Sequence, residues 1–203
     1  MTSTDVTLHA RLDALCSEGR AFWRRFDATV RDHAFHPFVA ADYDVVRGAL
    51  LSLRAPGRRF LEWGSASGII TIMADLMGFE ACGIEADAAL VDAARATAAR
   101  HGSRARFAQG SFLPAGYEWR SADGDPRTGT LAAAYPGYPQ LGLEPREFDV
   151  VFGYPWDGEA PVMRDVMQRC GRGDALLLLY DVDGRVRSYR GGHEELPTVH
   201  ARD

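Results

Sequence analysis

Apolar residues Leu8, Leu12, Leu15, Phe22, Trp23, Phe26 and Val30 recur at intervals of three, four and seven, which predicts an amphipathic helix over residues 5 to about 33. Gly19 is expected to break or bend it. A Pro-containing link at 33–38 leads to a second helix over 42–53, with Asp42 as its N-cap. A regular alternation follows. Apolar strands at 59–63, 80–85 and 104–109 alternate with helices at 68–77 and 88–100, the rhythm of βαβ units and a parallel sheet with right-handed connections. Residues 113–147, rich in Pro, Gly, Asp and Tyr, are too long and irregular for a simple connection and read as a loop insertion of the lid type. The rhythm resumes with a strand at 148–152, a helix at 162–169 and a strand at 175–180, apolar on both parities and therefore covered on both faces. After the Asp183-Gly184 turn, 185–189 reads as an edge strand and His193-Glu-Glu-Leu196 as a solvated tail.

Composition narrows this picture. At 203 residues, with 46% hydrophobic and 25% charged residues, the chain reads as a single globular domain, 1–203, with N-terminal helices or lid at 1–55 and a core sheet at 59–180. All 23 basic residues are arginine, so Schiff-base, Walker-lysine and amine-base chemistries are excluded. A net charge of −5 argues against broad nucleic-acid affinity. Cys16, Cys82 and Cys170 form no C-x-x-C and read as reduced thiols or small core residues. With no signal sequence and no run of 18 apolar residues, a cytoplasmic protein with no membrane partner is expected.

The chemistry concentrates in Glu62-Trp-Gly64-Ser65-Ala66-Ser-Gly68, where an apolar strand ends and a helix begins. Glycine lets the backbone turn sharply and approach a ligand, and the helix N-terminus offers free N–H groups to a carboxylate, each contact contributing about 0.3–1 kcal/mol. Glu85 follows Glu62 by 23 residues, at the tip of the next strand, the distance at which βαβ nucleotide folds place an acid on ribose hydroxyls. After Gly68 comes Ile69-Ile70, with no third small residue at the packing position, so an NAD-type oxidoreductase is disfavoured.

These residues resemble the first motif of the class I S-adenosylmethionine-dependent methyltransferases, acid-x-Gly-x-Gly-x-Gly, with Ala66 in place of the middle glycine. The resemblance spans about 59–180. It implies a Rossmann-like, mostly parallel sheet of five to six strands with helices on both faces, and S-adenosyl-L-methionine as cofactor. It puts Glu62 near the methionine amino group and Glu85 with Ala86 at the ribose. Gly110, Ser111 and Phe112 would meet the adenine, Ser111 standing where the family carries an acid. Gly153-Tyr154-Pro-Trp156, at the end of the fourth strand, resembles the Asn-Pro-Pro-Tyr motif with Tyr154 in the Asn position. Tyr154 and Trp156 wall the site or stack on a flat substrate, or else pack as core.

The implied activity is methyl transfer to a small molecule. Asp157, next to the aromatic pair, and His33 or His36 in the linker are the candidate bases; Asp157 otherwise serves as an N-cap. The two histidines lack partners at metal-ligand spacing, so no metal is expected. Tyr43 reads as a packed helix face or as a lid over the cofactor. A second reading, suggested by Ala66, Ser111 and Tyr154, is a cofactor-binding or regulatory module that has lost the reaction. Only 23 residues follow Tyr180, where the family adds a helix and a hairpin, so the sheet is expected to end early or to be completed by a partner, a second copy of the chain being one candidate.

Overall fold

The computed structural model describes residues 3–30, 39–118, 135–156 and 158–195. Helix α1 (Ser3–Val30) and helix α2 (Tyr43–Leu53) precede the sheet. Asp42 caps α2 through a 2.9 Å bond from the Asp44 N–H to its side chain, as its sequence position predicts. Gly19 does not break α1, which runs unbroken through it. A Cβ there would lie 2.7 Å from Ile69 and 2.9 Å from Tyr43, so glycine is present because α1 crosses the first βα unit closely.

The chain continues as β1 (Arg59–Trp63), α3 (Ile69–Leu76), β2 (Glu80–Glu85), α4 (Ala88–Arg100), β3 (Arg106–Gln109), α5 (Tyr138–Leu141), β4 (Val150–Gly153), α6 (Glu159–Cys170), β5 (Leu176–Tyr180), β6 (Val186–Arg190) and β7 (His193–Glu195), which realises the predicted alternation except that α5 is a helix inside the segment read as a loop insertion and β7 a strand in the expected tail. They form one sheet of order β3-β2-β1-β4-β5-β6-β7. The first five strands are parallel; β6 and β7 are antiparallel.

Two expectations are corrected at this edge. The sheet has seven strands rather than five to six, and it does not end early. The tail His193-Glu194-Glu195 is β7, paired with Ser188–Arg190. Ion pairs Arg187–Glu194 and Arg190–Glu195 across the strands offset its lack of apolar residues. Between β5 and β6 lies a turn in which the Asp181 side chain accepts from the N–H groups of Asp183 and Arg185.

Strand parity sorts the core into two layers. Phe60, Ala81, Phe107, Val150, Phe152, Leu176 and Leu178 face α1 to α4, while Leu61, Trp63, Ile84, Val151, Leu177 and Leu179 face α5 and α6. Glu62, Gly83 and Glu85 share parity with the first group, so the two acids project onto the face covered by α1 to α3. Cys16 and Cys82 are buried, and all three cysteines are free thiols. No helix among the described residues is long and apolar enough to cross a membrane.

Candidate functional site

The β1–α3 turn is built on left-handed backbone at three alternate positions, Gly64 (φ 71°), Ala66 (φ 44°) and Gly68 (φ 79°). The N–H groups of Gly64 and Ser65 both donate to the Ile84 carbonyl, which ties the turn to the tip of β2. Gly68 is required twice over, by its φ and because a Cβ would meet Phe107 and Ala94 at 2.7–2.8 Å. Beneath the turn, a Cβ on Gly83 would lie 2.6 Å from Ser65 Cβ. A glycine inside a strand pattern signals such close approach, and Gly83 was legible on that ground although the motif does not contain it.

Glu62 lies at the floor of a cleft formed by this turn. Its Oε2 accepts from the Thr71 N–H at 2.8 Å and also from the Thr71 hydroxyl, and no described residue donates to Oε1. Burial is the main cause that pushes the Glu62 carboxyl up to about 8, with the Glu85 charge adding to it and the Thr71 bonds opposing it. Ser65 Oγ is also buried and has no hydrogen-bond partner among the described residues. The cleft encloses about 360 Å³ of non-protein space, open solvent included. Ala40, Ala41 and Tyr43 come from the N-terminal segment, Gly64 to Ser67 from the turn, and Phe152 and Tyr154 from the end of β4.

The aromatic wall follows from parity. Phe152 and Tyr154 lie on the Glu62 face, and Tyr154 meets Tyr180 edge-on at 4.9 Å. Tyr180 in turn accepts the Asp42 N–H through its hydroxyl, which ties the start of α2 to the sheet. Tyr43 is buried, and desolvation together with the Glu62 charge raises its phenol well above the ordinary range. Thr71 and Tyr43 are thus site residues: the motif did not mark Thr71, and Tyr43 was read mainly as a packed helix face.

The remaining sequence candidates separate. Glu85 is buried, its carboxylate accepting from Ala66 N–H at 2.8 Å and Asp87 N–H at 3.0 Å; it braces the turn and does not line the cleft. Half-buried Ala86 offers its carbonyl to Gln109. Gly110, Ser111 and Phe112 are not brought to the cleft. The Ser111 N–H donates to Tyr135 O and its carbonyl accepts from Gly137 N–H, and Gly110 sits tight against Gly137. Phe112 stacks on Trp63 at 4.8 Å on the opposite sheet face, because the Trp63 indole is held there by Tyr138. Gly153 abuts Met163 on that same opposite face.

Trp156 is half-buried and closes a reciprocal cap with Glu159 at the start of α6. Asp157, His33 and His36 lie outside the described residues. Among the described residues no group of three His, Cys, Asp or Glu is placed to hold a metal ion.

A doubly wound sheet with its cleft outside the carboxyl ends of β1 and β4, where the strand order reverses, is the Rossmann-like arrangement for ligand binding. A solved structure agrees with this fold. The RNA methyltransferase of Salinibacter ruber, solved with S-adenosyl-L-homocysteine, matches 81% of this chain and 100% of its own, with a TM-score of 0.53 and 20% identity. The precorrin-6y C5,15-methyltransferase of Geobacter metallireducens matches 75% of this chain and 71% of its own, with a TM-score of 0.48 and 17% identity. In sequence, the ribosomal protein L11 methyltransferase of Thermus thermophilus is 35% identical over 78 residues, 37% of this chain and 31% of that protein. The chain therefore matches under a third of the length of this relative. No protein-family model matches the chain. The fold is that of the Rossmann-like methyltransferases.

Proposed function

We propose that this chain binds S-adenosyl-L-methionine in the Glu62 cleft and acts as a methyltransferase. The observation that carries the reading is Glu62 itself, a buried carboxylate with one oxygen held by Thr71 and the other without a donor among the described residues, beneath a left-handed turn that opens a helix. A ligand with an ammonium group beside a carboxylate fits this donor and acceptor set. Glu62 accepts from the ammonium, and the start of α3 with the buried Ser65 hydroxyl favours the carboxylate.

When bound, the cofactor supplies an electrophilic methyl group. The chain's contribution is to orient and to exclude water. Tyr154, fixed edge-on by Tyr180, presents an aromatic surface to a cation or a flat acceptor. Asp157, beside Trp156, is assigned the role of base or amine anchor, with His36 as the alternative base. Trp156 borders the acceptor side.

The acceptor is read as a small molecule, supported by the net charge of −5. Calorimetry with S-adenosyl-L-methionine on the folded chain tests the cofactor assignment; absence of binding removes it. A panel of small nucleophiles and structured RNAs then tests the acceptor, and turnover confined to RNA would overturn the small-molecule reading.

A second reading, a cofactor-binding module without turnover, is favoured by Ser111, whose backbone is already engaged by Tyr135 and Gly137. Tight cofactor binding with no methyl transfer across the panel would support it, and transfer to any acceptor would remove it.

A further inference from the structure

A second cavity, about 320 Å³ of non-protein space with open solvent included, lies between α6 and the β5–β6 edge. It is on the sheet face opposite the Glu62 cleft and toward the other end of the parallel strands, because Leu177 pairs with Tyr189 near the start of β5. Arg164, Met167, Gln168, Leu177, Tyr189 and Gly192 are among its lining residues.

Arg164 is the unusual member. Its guanidinium lies 5.5 Å from the centre of the Tyr189 ring, yet its Nε is shielded from water and has no hydrogen-bond partner among the described residues, and no described carboxylate pairs with it. The arginines around it are all engaged. Arg169 pairs with Asp165, Arg172 with Asp149 and Asp174, Arg187 with Asp181, and Arg190 with Glu195.

A shielded Nε–H left without an acceptor is unfavourable relative to a paired one. Cation–π contact with Tyr189 offsets part of this but supplies no acceptor for Nε. The arrangement is satisfied by an oxyanion seated against Arg164, since the guanidinium fork matches carboxylate and phosphate oxygens in pairs. Gln168 adds an amide at the rim. Met167, Leu177 and the Tyr189 ring would cover an apolar body attached to the anion.

We infer that this cavity is a binding site for a small organic anion, one carboxylate or phosphate group on an apolar body, held by Arg164 and separate from the Glu62 cleft. The site stands whether or not the cleft binds S-adenosyl-L-methionine.

The test is a titration of the full chain with benzoate, phenyl phosphate and inorganic phosphate, followed by 1H–15N spectroscopy. The Arg164 Nε–H resonance, assigned by its loss in Arg164→Met, is shielded and therefore observable. A saturable shift of that resonance is expected with benzoate or phenyl phosphate, and a weaker one with inorganic phosphate. Which of the two aromatic anions binds tighter identifies carboxylate or phosphate as the natural head group. Arg164→Met keeps the aliphatic stem over Tyr189 and should weaken binding by about 10-fold or more, and Arg164→Lys, which keeps charge but loses the fork, should recover only part.

Affinity for S-adenosyl-L-methionine, measured in parallel, should be the same in wild type and Arg164→Met. No saturable shift with any of the three anions, or binding undiminished in Arg164→Met, overturns the inference. Competition between benzoate and the cofactor would likewise overturn it, by assigning the anion to the cleft.

Discussion

The Glu85 carboxylate accepts a 2.8 Å hydrogen bond from the backbone N–H of Ala66, and Ala66 is the one described non-glycine residue with positive φ, at 44°. The tip of β2 thus holds the β1–α3 turn in a conformation that alanine adopts at a cost of about 1–2 kcal/mol. Ala66→Gly relieves that strain while giving up roughly 0.5–1 kcal/mol to unfolded-state entropy. Thermal melts should show a rise of about 1–4 °C for Ala66→Gly and a fall for Ala66→Val, whose branched Cβ tolerates the left-handed region least. A fall for glycine would remove strain at this position.

Glu62 gives stability a pH signature. Its folded pKa, about 8 against an ordinary 4.5, is raised chiefly by burial. The folded protein therefore holds a proton that the unfolded chain releases between about pH 4.5 and 8. Stability from this group is fully present below the lower value, declines as pH rises through that window, and levels off above it. Glu62→Gln, neutral throughout, should match wild type near pH 5 and exceed it at pH 8 by an amount on the order of a few kcal/mol. Equal stability at both pH values would show that Glu62 is ionised in the folded protein.

The same proton links to ligand binding. An ammonium group brought to Glu62 favours its carboxylate, so cofactor binding at pH 7 should expel up to about one proton per site. Calorimetry in buffers of different ionisation enthalpy measures this release. Affinity should rise between pH 6 and 7.5, while the cofactor amine stays protonated, and Glu62→Gln should abolish both the release and the rise. Binding with no proton release would place the ammonium elsewhere.

Gly83 separates packing from binding. A Cβ there would sit 2.6 Å from Ser65 Cβ and 2.9 Å from Thr71 Oγ1, so Gly83→Ala must push the turn off β2 and loosen the Thr71–Glu62 bonds. A loss of about 1–3 kcal/mol in stability is expected, with cofactor affinity falling by about 10-fold or more and the far-ultraviolet circular dichroism unchanged. Retained affinity would mean that the turn is not held in its binding shape from below.

Removing the Thr71 hydroxyl tests the floor of the cleft directly. Thr71→Val deletes one of the two bonds to Glu62 Oε2 and should destabilise by about 1–2 kcal/mol. It should also move the midpoint of the Glu62 pH effect upward, since one of the contacts favouring the carboxylate is gone. A midpoint that stays in place or falls would show that the hydroxyl bond does not hold the charge.

Local pattern alone fixed much of this molecule. The alternation of apolar strands and helices located β1, β2, β5, α2 and α4 to within a residue or so, because their periodicity, caps and turns are properties of neighbouring residues. Strand parity even implied that Glu62 and Glu85 share a face. What sequence spacing left open is which carboxylate lines the cleft. The close crossing of α1 over Gly19, the approach of Ser65 to Gly83 and the return of Tyr135–Gly137 onto Ser111 join residues far apart in the chain. Those contacts turned Glu85 into a brace, moved Phe112 to the opposite face and brought Tyr43 to the cleft. The polar tail became β7 for the same reason: a strand with little apolar character is stabilised by its hydrogen-bonded neighbour and cross-strand ion pairs, which local hydrophobicity does not register.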